Sequence, residues 1–156
     1  MFKILVLALT LAAAPLALAK NPEPAAVAVD NGGFAEQRAV IEKDLADGKT
    51  YIEIPPADRA KVRESLDRIS GLLEGGKSPE ALTADQKVHL YNTQEVINTL
   101  LTQAGADSRT VCSREAPTGS QRKVTTCITV AERTRRRERD QENLAKSRRG
   151  LAPVRN

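Results

Sequence analysis

The sequence is poor in the residue types from which catalytic, redox and metal sites are built. Its 156 residues include one histidine, two cysteines and no tryptophan, and aromatic side chains make up 3% of the chain. A zinc site takes three or four ligands, and a redox pair favours Cys-x-x-Cys spacing, so neither is indicated. The glycine pairs at residues 32–33 and 75–76 lack the spacing and the lysine of a phosphate-binding loop. We therefore expect no catalytic residue, no cofactor and no metal, and we predict that the protein is not an enzyme.

The single imidazole, His89, is the candidate for acid–base chemistry. On a helix it shares a face with Thr93, Val96 and Leu100, where a lone histidine is more often packed or exposed than catalytic. Asp85 could orient the ring, but no nucleophile-elbow sequence accompanies the pair. A His89-dependent hydrolase is therefore the weakest of three functional hypotheses.

The first 19 residues have the parts of a cleavable signal peptide. Lys3 supplies the positive charge, an uncharged apolar run covers residues 4–14, and Ala17-Leu18-Ala19 forms the small-x-small cleavage pattern. The apolar run is far shorter than the roughly 20 residues that span a bilayer. We predict cleavage after Ala19, no membrane span in the mature chain, and a periplasmic or secreted location.

Charge is unevenly distributed along the chain that would remain after cleavage. From residue 132 to residue 156, nine basic side chains accompany four acidic ones, a net charge of +5. The whole chain carries +4, and Lys3 accounts for one of these charges, so residues 20–131 sum to about −2. Length and composition predict one small domain with an aliphatic core, followed by a segment of different, basic character.

The apolar pattern predicts a helical domain over residues 33–131, after a flexible leader rich in Pro, Ala and Gly at residues 20–32. A first helix is predicted over residues 34–46. An extended stretch is predicted over residues 51–54, because a residue that precedes proline avoids the helical region.

The second helix has the clearest apolar stripe of the domain. Its large aliphatic residues are Val62, Leu66, Ile69 and Leu73, spaced at i, i+4, i+7 and i+11. We predict that Asp58 caps its N-terminus and that the glycine pair at residues 75–76 ends it.

The third helix is predicted to begin with a capping box formed by Thr83 and Gln86 and to end near Ala104, before Gly105. A short connection joins it to the second helix, so the two should pack antiparallel. Its apolar residues are Leu90, Val96, Ile97, Leu100 and Leu101.

The two cysteines lie on either side of a turn signal. Gly119-Ser120 suits a two-residue hairpin turn, because glycine accepts the positive φ that such turns require. A turn at this point pairs residues whose numbers sum to 239, which places Cys112 opposite Cys127 and Pro117 opposite Arg122. We predict a disulfide-closed β-hairpin over residues 110–128, in which the bond stabilises by about 3 kcal/mol.

A charged C-terminal helix and tail follow at residues 132–156. Thr129 and Glu132 form a second capping box, which predicts a helix over residues 130–147. Acidic residues alternate with the arginines at i,i+4 spacing, and the arginines encircle the helix, so a solvated, salt-bridged helix is favoured. The alternative is an arm that binds polyanions. Its candidate residues are Arg133, Arg135, Arg136, Arg137, Arg139, Arg148 and Arg149.

The stretch from Val111 to Glu132 (VCSREAPTGSQRKVTTCITVAE) resembles a cysteine-bracketed Thr-Gly-Ser hairpin near the C-termini of small exported proteins of gammaproteobacteria, especially relatives of Xanthomonas. The specific part of this resemblance is the two-cysteine hairpin. It implies a bacterial envelope location. It implies no activity, because that group has no assigned chemistry.

These patterns predict a mainly α fold, a small bundle of three to four helices with one disulfide-closed β-hairpin before a charged C-terminal helix. The predicted function is that of an exported, non-enzymatic protein that binds another protein or has a structural role in the envelope. The second hypothesis is a polyanion-binding protein that holds lipopolysaccharide or nucleic acid. We expect an unidentified protein partner, with an anionic polymer or lipid as the alternative, and no small-molecule substrate.

Overall fold

A computed structural model of the chain describes residues 26–150. In chain order the elements are α1 (Phe34–Ala46), α2 (Pro56–Leu72), α3 (Ala84–Ser108), β1 (Thr110–Glu115), β2 (Val124–Thr129) and α4 (Val130–Gly150). Short 3-10 turns cover Val29–Asn31 and Pro79–Ala81. The predicted mainly α fold, with a disulfide-closed hairpin ahead of a charged helix, is confirmed. The predicted signal peptide and the first six residues of the leader lie outside the described residues.

The core is mainly aliphatic and is formed by one stripe from each of the first three helices, with Tyr51 and four aliphatic residues from the connecting segments. Ile41 and Leu45 of α1, the Val62–Ile69 stripe of α2, and Ile97 of α3 are fully or almost fully buried. These side chains recur at helical spacing, so each helix turns one apolar face inward. The complete set of buried apolar residues is Val27, Val29, Ile41, Leu45, Tyr51, Ile54, Val62, Leu66, Ile69, Leu82, Leu90, Ile97, Leu101 and Ala104.

The ends of α2 and α3 are arranged as in an antiparallel pair. The Oγ of Ser108, at the end of α3, accepts a hydrogen bond from the backbone N–H of Glu53, just before α2 begins (3.0 Å). At the other end of the pair, the predicted capping box of α3 is present: the Gln86 N–H donates to Thr83 Oγ1, and the Thr83 N–H donates to Gln86 Oε1. Both capping bonds connect neighbouring residues, which is why the sequence alone could indicate this helix start.

Two predicted helix boundaries are wrong, the N-cap of α2 and the C-terminal end of α3. Asp58 lies in the first turn of α2, and Pro55 occupies the N-cap position. The helix α3 passes through Gly105 and ends at Ser108. Ala104 and Ser108 are 5% and 8% exposed. Packing of this last turn therefore outweighs the cost of about 1 kcal/mol that a glycine brings to a helix.

The predicted extended stretch at residues 51–54 is also wrong, because the chain forms turns there. Asp47 Oδ1 accepts from the N–H groups of Lys49 (2.7 Å) and Thr50 (2.9 Å), and the Ile54 N–H donates to the carbonyl of Tyr51 (3.1 Å). The turns bring Tyr51 and Ile54 into the core together. Local hydrogen bonding by an aspartate thus competes with the extended conformation.

The register of the hairpin is as predicted, but the position of its turn is not. All six strand pairs, from Thr110–Thr129 to Glu115–Val124, sum to 239. Beyond Glu115 the pairing stops, so the predicted pair of Pro117 and Arg122 is not formed. The Ser120 N–H donates instead to the carbonyl of Pro117 (2.9 Å), with Gly119 at φ +82° in the third turn position, where a type II turn needs a positive φ.

The disulfide between Cys112 and Cys127 is confirmed. The Val130 N–H donates to the carbonyl of Arg109 (2.9 Å), so the ladder has a hydrogen-bonded pair one step beyond the strands. Alternation then makes Cys112–Cys127 a non-hydrogen-bonded pair, in which the two backbones lie closest. The Cα atoms of the two cysteines are 4.0 Å apart.

Residues 27–31 of the predicted flexible leader differ from that description. Val27 and Val29 are both 2% exposed, and a 3-10 turn covers Val29–Asn31. Their valines enter the core from outside the helices, and composition gives no sign of such docking.

The described chain falls into two regions. The body, residues 26–109, contains every buried apolar side chain named above. The arm, residues 110–150, consists of the hairpin and α4, and within the described residues it contributes none of them. The last strand residue, Thr129, is followed directly by the first residue of α4, so the hairpin and the helix are continuous.

Candidate functional site

The base of the arm is held to the body by a bidentate ion pair. Glu53 lies in the turn between α1 and α2, and its side chain is 16% exposed. Arg135 Nη1 donates to Glu53 Oε2 (2.8 Å), and Arg135 Nη2 donates to Glu53 Oε1 (3.2 Å). Thr129 Oγ1 donates to the same Oε1. One carboxylate of the body therefore binds both the last residue of β2 and the second turn of α4.

Glu132 is the second carboxylate at this base and gathers three arginines. It accepts from Arg136 Nε (2.8 Å), from Arg135 Nη2 (3.1 Å) and from Arg139 Nη2 (3.5 Å). The Glu132 N–H donates to Thr129 Oγ1 (3.1 Å), so the Thr129 half of the predicted capping box is confirmed. The Glu132 carboxylate accepts these hydrogen bonds from arginines of its own helix, α4.

The two carboxylates are held in the ionised form. Hydrogen bonds from Arg135 and then from Thr129 lower the pKa of Glu53 below its usual value. Hydrogen bonds from Arg136 and Arg135 lower the pKa of Glu132 in the same way. The guanidinium of Arg135, which contacts both carboxylates, has a raised pKa. The base of the arm, which we call the brace (Glu53, Thr129, Glu132 and Arg135), is thus a charged network whose stabilisation is complete above the ordinary carboxylate pKa and is lost in acid.

Beyond the brace, α4 is surrounded by solvent. From Arg133 to Arg149 every side chain is exposed except that of Ala145, and Leu144 is 60% exposed. The predicted Glu132–Arg136 and Glu142–Lys146 ion pairs are both present, at 2.8 Å and 2.7 Å. The favoured sequence interpretation, a solvated helix with salt bridges at i,i+4 spacing, is confirmed.

Ion pairing divides the seven candidate arginines into two groups. Arg135, Arg136 and Arg139 pair with carboxylates. Four others form no ion pair within residues 26–150. These are Arg133, Arg137, Arg148 and Arg149, and we call them the free arginines.

Three of the free arginines share one face of α4. At 100° per residue, Arg133, Arg137 and Arg148 lie at about 0°, 40° and 60° around the helix, and Arg149 lies at about 160°. The paired arginines lie at about 200° to 300°, on the other side. In the sequence alone all seven arginines are equivalent, and together they encircle the helix. The stripe becomes visible only when the paired side chains are known.

His89, the acid–base candidate, is exposed on α3. It borders a cleft of about 280 Å³ between α2 and α3, together with Lys61, Glu64, Arg68 and Thr93. Across the described part of the chain its ring has no hydrogen-bond partner, and Asp85 does not orient it. Thr93 Oγ1 donates to the His89 backbone carbonyl (2.7 Å), which leaves the imidazole uninvolved.

Residues 26–150 contain no group of three or more His, Cys, Asp or Glu side chains placed to hold a metal ion. No helix in that range is both long and apolar enough to cross a membrane.

Comparison of the chain with models of known protein families finds no match. Comparisons with curated proteins and with solved structures likewise find none. Function must therefore be argued from the geometry of the chain itself.

Proposed function

We propose that this chain is an exported, non-enzymatic binding protein of the bacterial envelope, and that its binding element is the arm. The observation that carries the proposal is the exposure of α4 beyond the brace. A helix of 21 residues is about 31 Å long, and from Arg133 to Arg149 every side chain of this one except that of Ala145 is exposed. This exposed part of the helix gains no stability from core packing. Its length is therefore better explained as a surface for binding than as a structural support of the body.

Export supports this proposal through the chemistry of the arm. The disulfide that closes the hairpin is typical of oxidising compartments, and the predicted signal peptide would deliver the chain to one. The brace then sets the direction in which α4 leaves the body, because Arg135 and Thr129 both bind Glu53. A helix with a defined direction and an unpaired cationic face suits a partner with an acidic surface.

The free arginines provide the test of this proposal. A variant with Arg133→Gln, Arg137→Gln, Arg148→Gln and Arg149→Gln removes the unpaired charges and leaves the brace unchanged. A matched control removes four exposed cations of the body, through Lys43→Gln, Lys61→Gln, Arg63→Gln and Lys77→Gln. Both variants lose the same net charge.

Affinity capture from envelope extracts, with the unaltered mature chain and both variants as baits, distinguishes the surfaces. We expect the unaltered chain and the body control to recover the same protein, and the arm variant to lose it. Recovery of that protein by all three baits would place the binding surface on the body and refute the proposal.

Binding of a polyanion, lipopolysaccharide or nucleic acid, is the second candidate function. The alignment of Arg133, Arg137 and Arg148 on one face favours it, since these cations are available to phosphates. Titration with duplex DNA or lipopolysaccharide at increasing salt tests it. For DNA, each neutralised phosphate should contribute about −0.9 to the slope of log affinity against log salt. A flat salt response, or equal binding by the arm variant, would eliminate this candidate.

A further inference from the structure

A short N-terminal segment, residues 27–30, lies across α1 and α3, and we call it the strap. Asn98 binds the backbone of Val27 twice: the Val27 N–H donates to Asn98 Oδ1 (2.8 Å), and Asn98 Nδ2 donates to the Val27 carbonyl (3.0 Å). Gln37 does the same for Ala28, at 2.8 Å and 3.2 Å. Three N–H groups in a row are satisfied by side-chain amides, because the Val29 N–H donates to Gln94 Oε1 (3.0 Å).

The side chains that hold the strap form one stripe on α3. Tyr91, Gln94 and Asn98 stand at i, i+3 and i+7, so they share a face of the helix. They contact Asp30, Val29 and Val27 in that order, with Tyr91 Oη donating to Asp30 Oδ1 (2.7 Å). The strap therefore runs antiparallel to α3, with Gln37 of α1 on its other side.

Two aliphatic anchors complete the contact. Val27 and Val29 are almost completely buried, and Ala28 between them is partly exposed. Ala28 has extended backbone angles (φ −136°, ψ 90°), so the side chains on either side of it point the same way, and the chain turns into the 3-10 turn at Val29. The two valines therefore enter the core while side-chain amides bind the backbone between them. The combination of amide contacts to the backbone and buried side chains at alternate positions resembles the recognition of a bound peptide. In such complexes backbone contacts give affinity and pockets at alternate positions give specificity.

Release of the strap would break no α-helix. The strap precedes α1 and reaches it through Gly32 and Gly33, at φ +70° and +62°. Val29 and Asp30 also border an open cleft of about 750 Å³ beside the start of α1. Departure would leave the amides of Asn98, Gln94 and Gln37 without these partners, and unsatisfied polar groups in a partly buried channel are costly. The channel therefore favours an occupant.

We propose that the channel between α1 and α3 is a binding site for a peptide that is extended at its second position and turns at its third, with aliphatic residues at its first and third positions and an acidic residue at its fourth. In this structure the strap occupies the site in cis. The fitting partner is a segment of another protein with the pattern Val-x-Val-Asp. This site is separate from the arm, so it stands or fails independently of the function proposed above.

The test uses the mature chain and a fluorescent peptide with the sequence of residues 24–31, PAAVAVDN. Val27→Asp with Val29→Asp in the chain weakens the strap and should free the channel. We expect this strap variant to bind the peptide at least about tenfold more tightly than the unaltered chain, because fewer of its channels are occupied in cis. Asn98→Ala in the strap variant should then weaken binding at least about tenfold, since two hydrogen bonds to the peptide backbone are lost.

The matched control is the same peptide carrying both Val→Asp changes, which should not bind. Far-UV circular dichroism and an intact disulfide report whether the strap variant folds. A folded strap variant that does not bind PAAVAVDN, or that binds the control peptide equally well, would overturn the proposal.

A measurement on the unaltered chain decides the matter if the strap variant does not fold. With 15N-labelled protein and excess unlabelled peptide, the amide signals of Val27, Ala28 and Val29 should shift or weaken as the strap is displaced, while those of the hairpin stay in place. Unchanged strap signals at a large peptide excess would overturn the proposal.

Discussion

The body and the arm are stabilised by different kinds of interaction. In the body, large aliphatic side chains from three helices and the strap are removed from water. In the arm, a covalent bond, a two-stranded ladder and ion pairs hold a segment that is mostly exposed. Nonpolar burial acts over the whole body at once, whereas most interactions of the arm join residues of the arm, and Glu53 alone among the body carboxylates of residues 26–109 binds it. We therefore expect the arm to lose order under conditions in which the body keeps its fold.

The largest contrast should come from removing one leucine in each region. Leu66 is fully buried, so Leu66→Ala leaves a cavity in the core, and we expect a loss of about 2–5 kcal/mol in the free energy of unfolding. Leu144→Ala on the arm should change it by less than about 0.5 kcal/mol. Chemical denaturation followed by circular dichroism measures both. Equal effects would mean that α4 packs against something not evident from its exposure.

Loss of the disulfide should affect the arm and leave the body nearly unchanged. In the double variant Cys112→Ser and Cys127→Ser, a loop of about 15 residues is no longer closed, which costs about 3 kcal/mol. Amide exchange in β1 and β2 should accelerate on the order of a hundredfold. Exchange in α2 and α3 should stay the same. If body amides accelerate to the same extent, the two regions unfold as one unit.

The capping box of α3 tests how cooperative the body is. Thr83→Ala removes the acceptor for the Gln86 N–H and should lower stability by about 1 kcal/mol. Thr83→Ser keeps a hydroxyl and serves as the control. Thermal unfolding should shift downward for the alanine variant alone, and amides of α2 should show the same loss as those of α3. A loss confined to the first turn of α3 would show fraying instead.

The smallest expected effect is a pH dependence of the brace. The pKa of Glu53 is lowered by Arg135 and Thr129, so the stabilisation is complete above the unfolded value of about 4.3 and is lost as the pH falls through the folded value. Glu132 acts in the same direction. The amide shifts of Thr129 and Val130 should therefore move between neutral pH and pH of about 3.

Glu53→Gln should remove most of that movement. Glu64→Gln, which changes an exposed ion pair with Arg68 on α2, is the matched control and should leave it intact. Shifts at Thr129 that titrate equally in Glu53→Gln would show that Glu53 does not control the base of the arm.

Local patterns were the part of the fold that could be predicted. The boundaries of α1 and the start of α3 follow from apolar spacing and from a capping box within four residues. The hairpin register follows from the Gly119-Ser120 turn signal, which by itself places Cys112 opposite Cys127. The turn was predicted at Gly119-Ser120, whereas the observed turn runs from Pro117 to Ser120 and the strand pairing ends at Glu115.

The candidate site was predictable in composition and not in arrangement. The arginines of α4 are visible in the sequence, but one carboxylate, Glu132, pairs with three of them, Arg135, Arg136 and Arg139, and the i,i+4 pattern indicated only Arg136. The contact that joins the arm to the body depends on Glu53, which lies 82 residues from Arg135. The strap is a stronger case. Nothing in its composition marks Val27 as a core residue. In the sequence, Tyr91, Gln94 and Asn98 form an ordinary polar face of α3, and only the docked strap shows that this face is a contact surface.

Short-range chemistry in the chain was enough to specify four helices, one cross-linked ribbon and a charged end, because spacing and capping act between residues a few positions apart. Contacts between residues far apart in the chain set the remaining features: the docked strap, the buried last turn of α3 and the direction of the arm. Each depends on hydrogen bonds that join residues 55 to 82 positions apart. Such bonds form only where folding has already brought two surfaces together, so no window of sequence contains them.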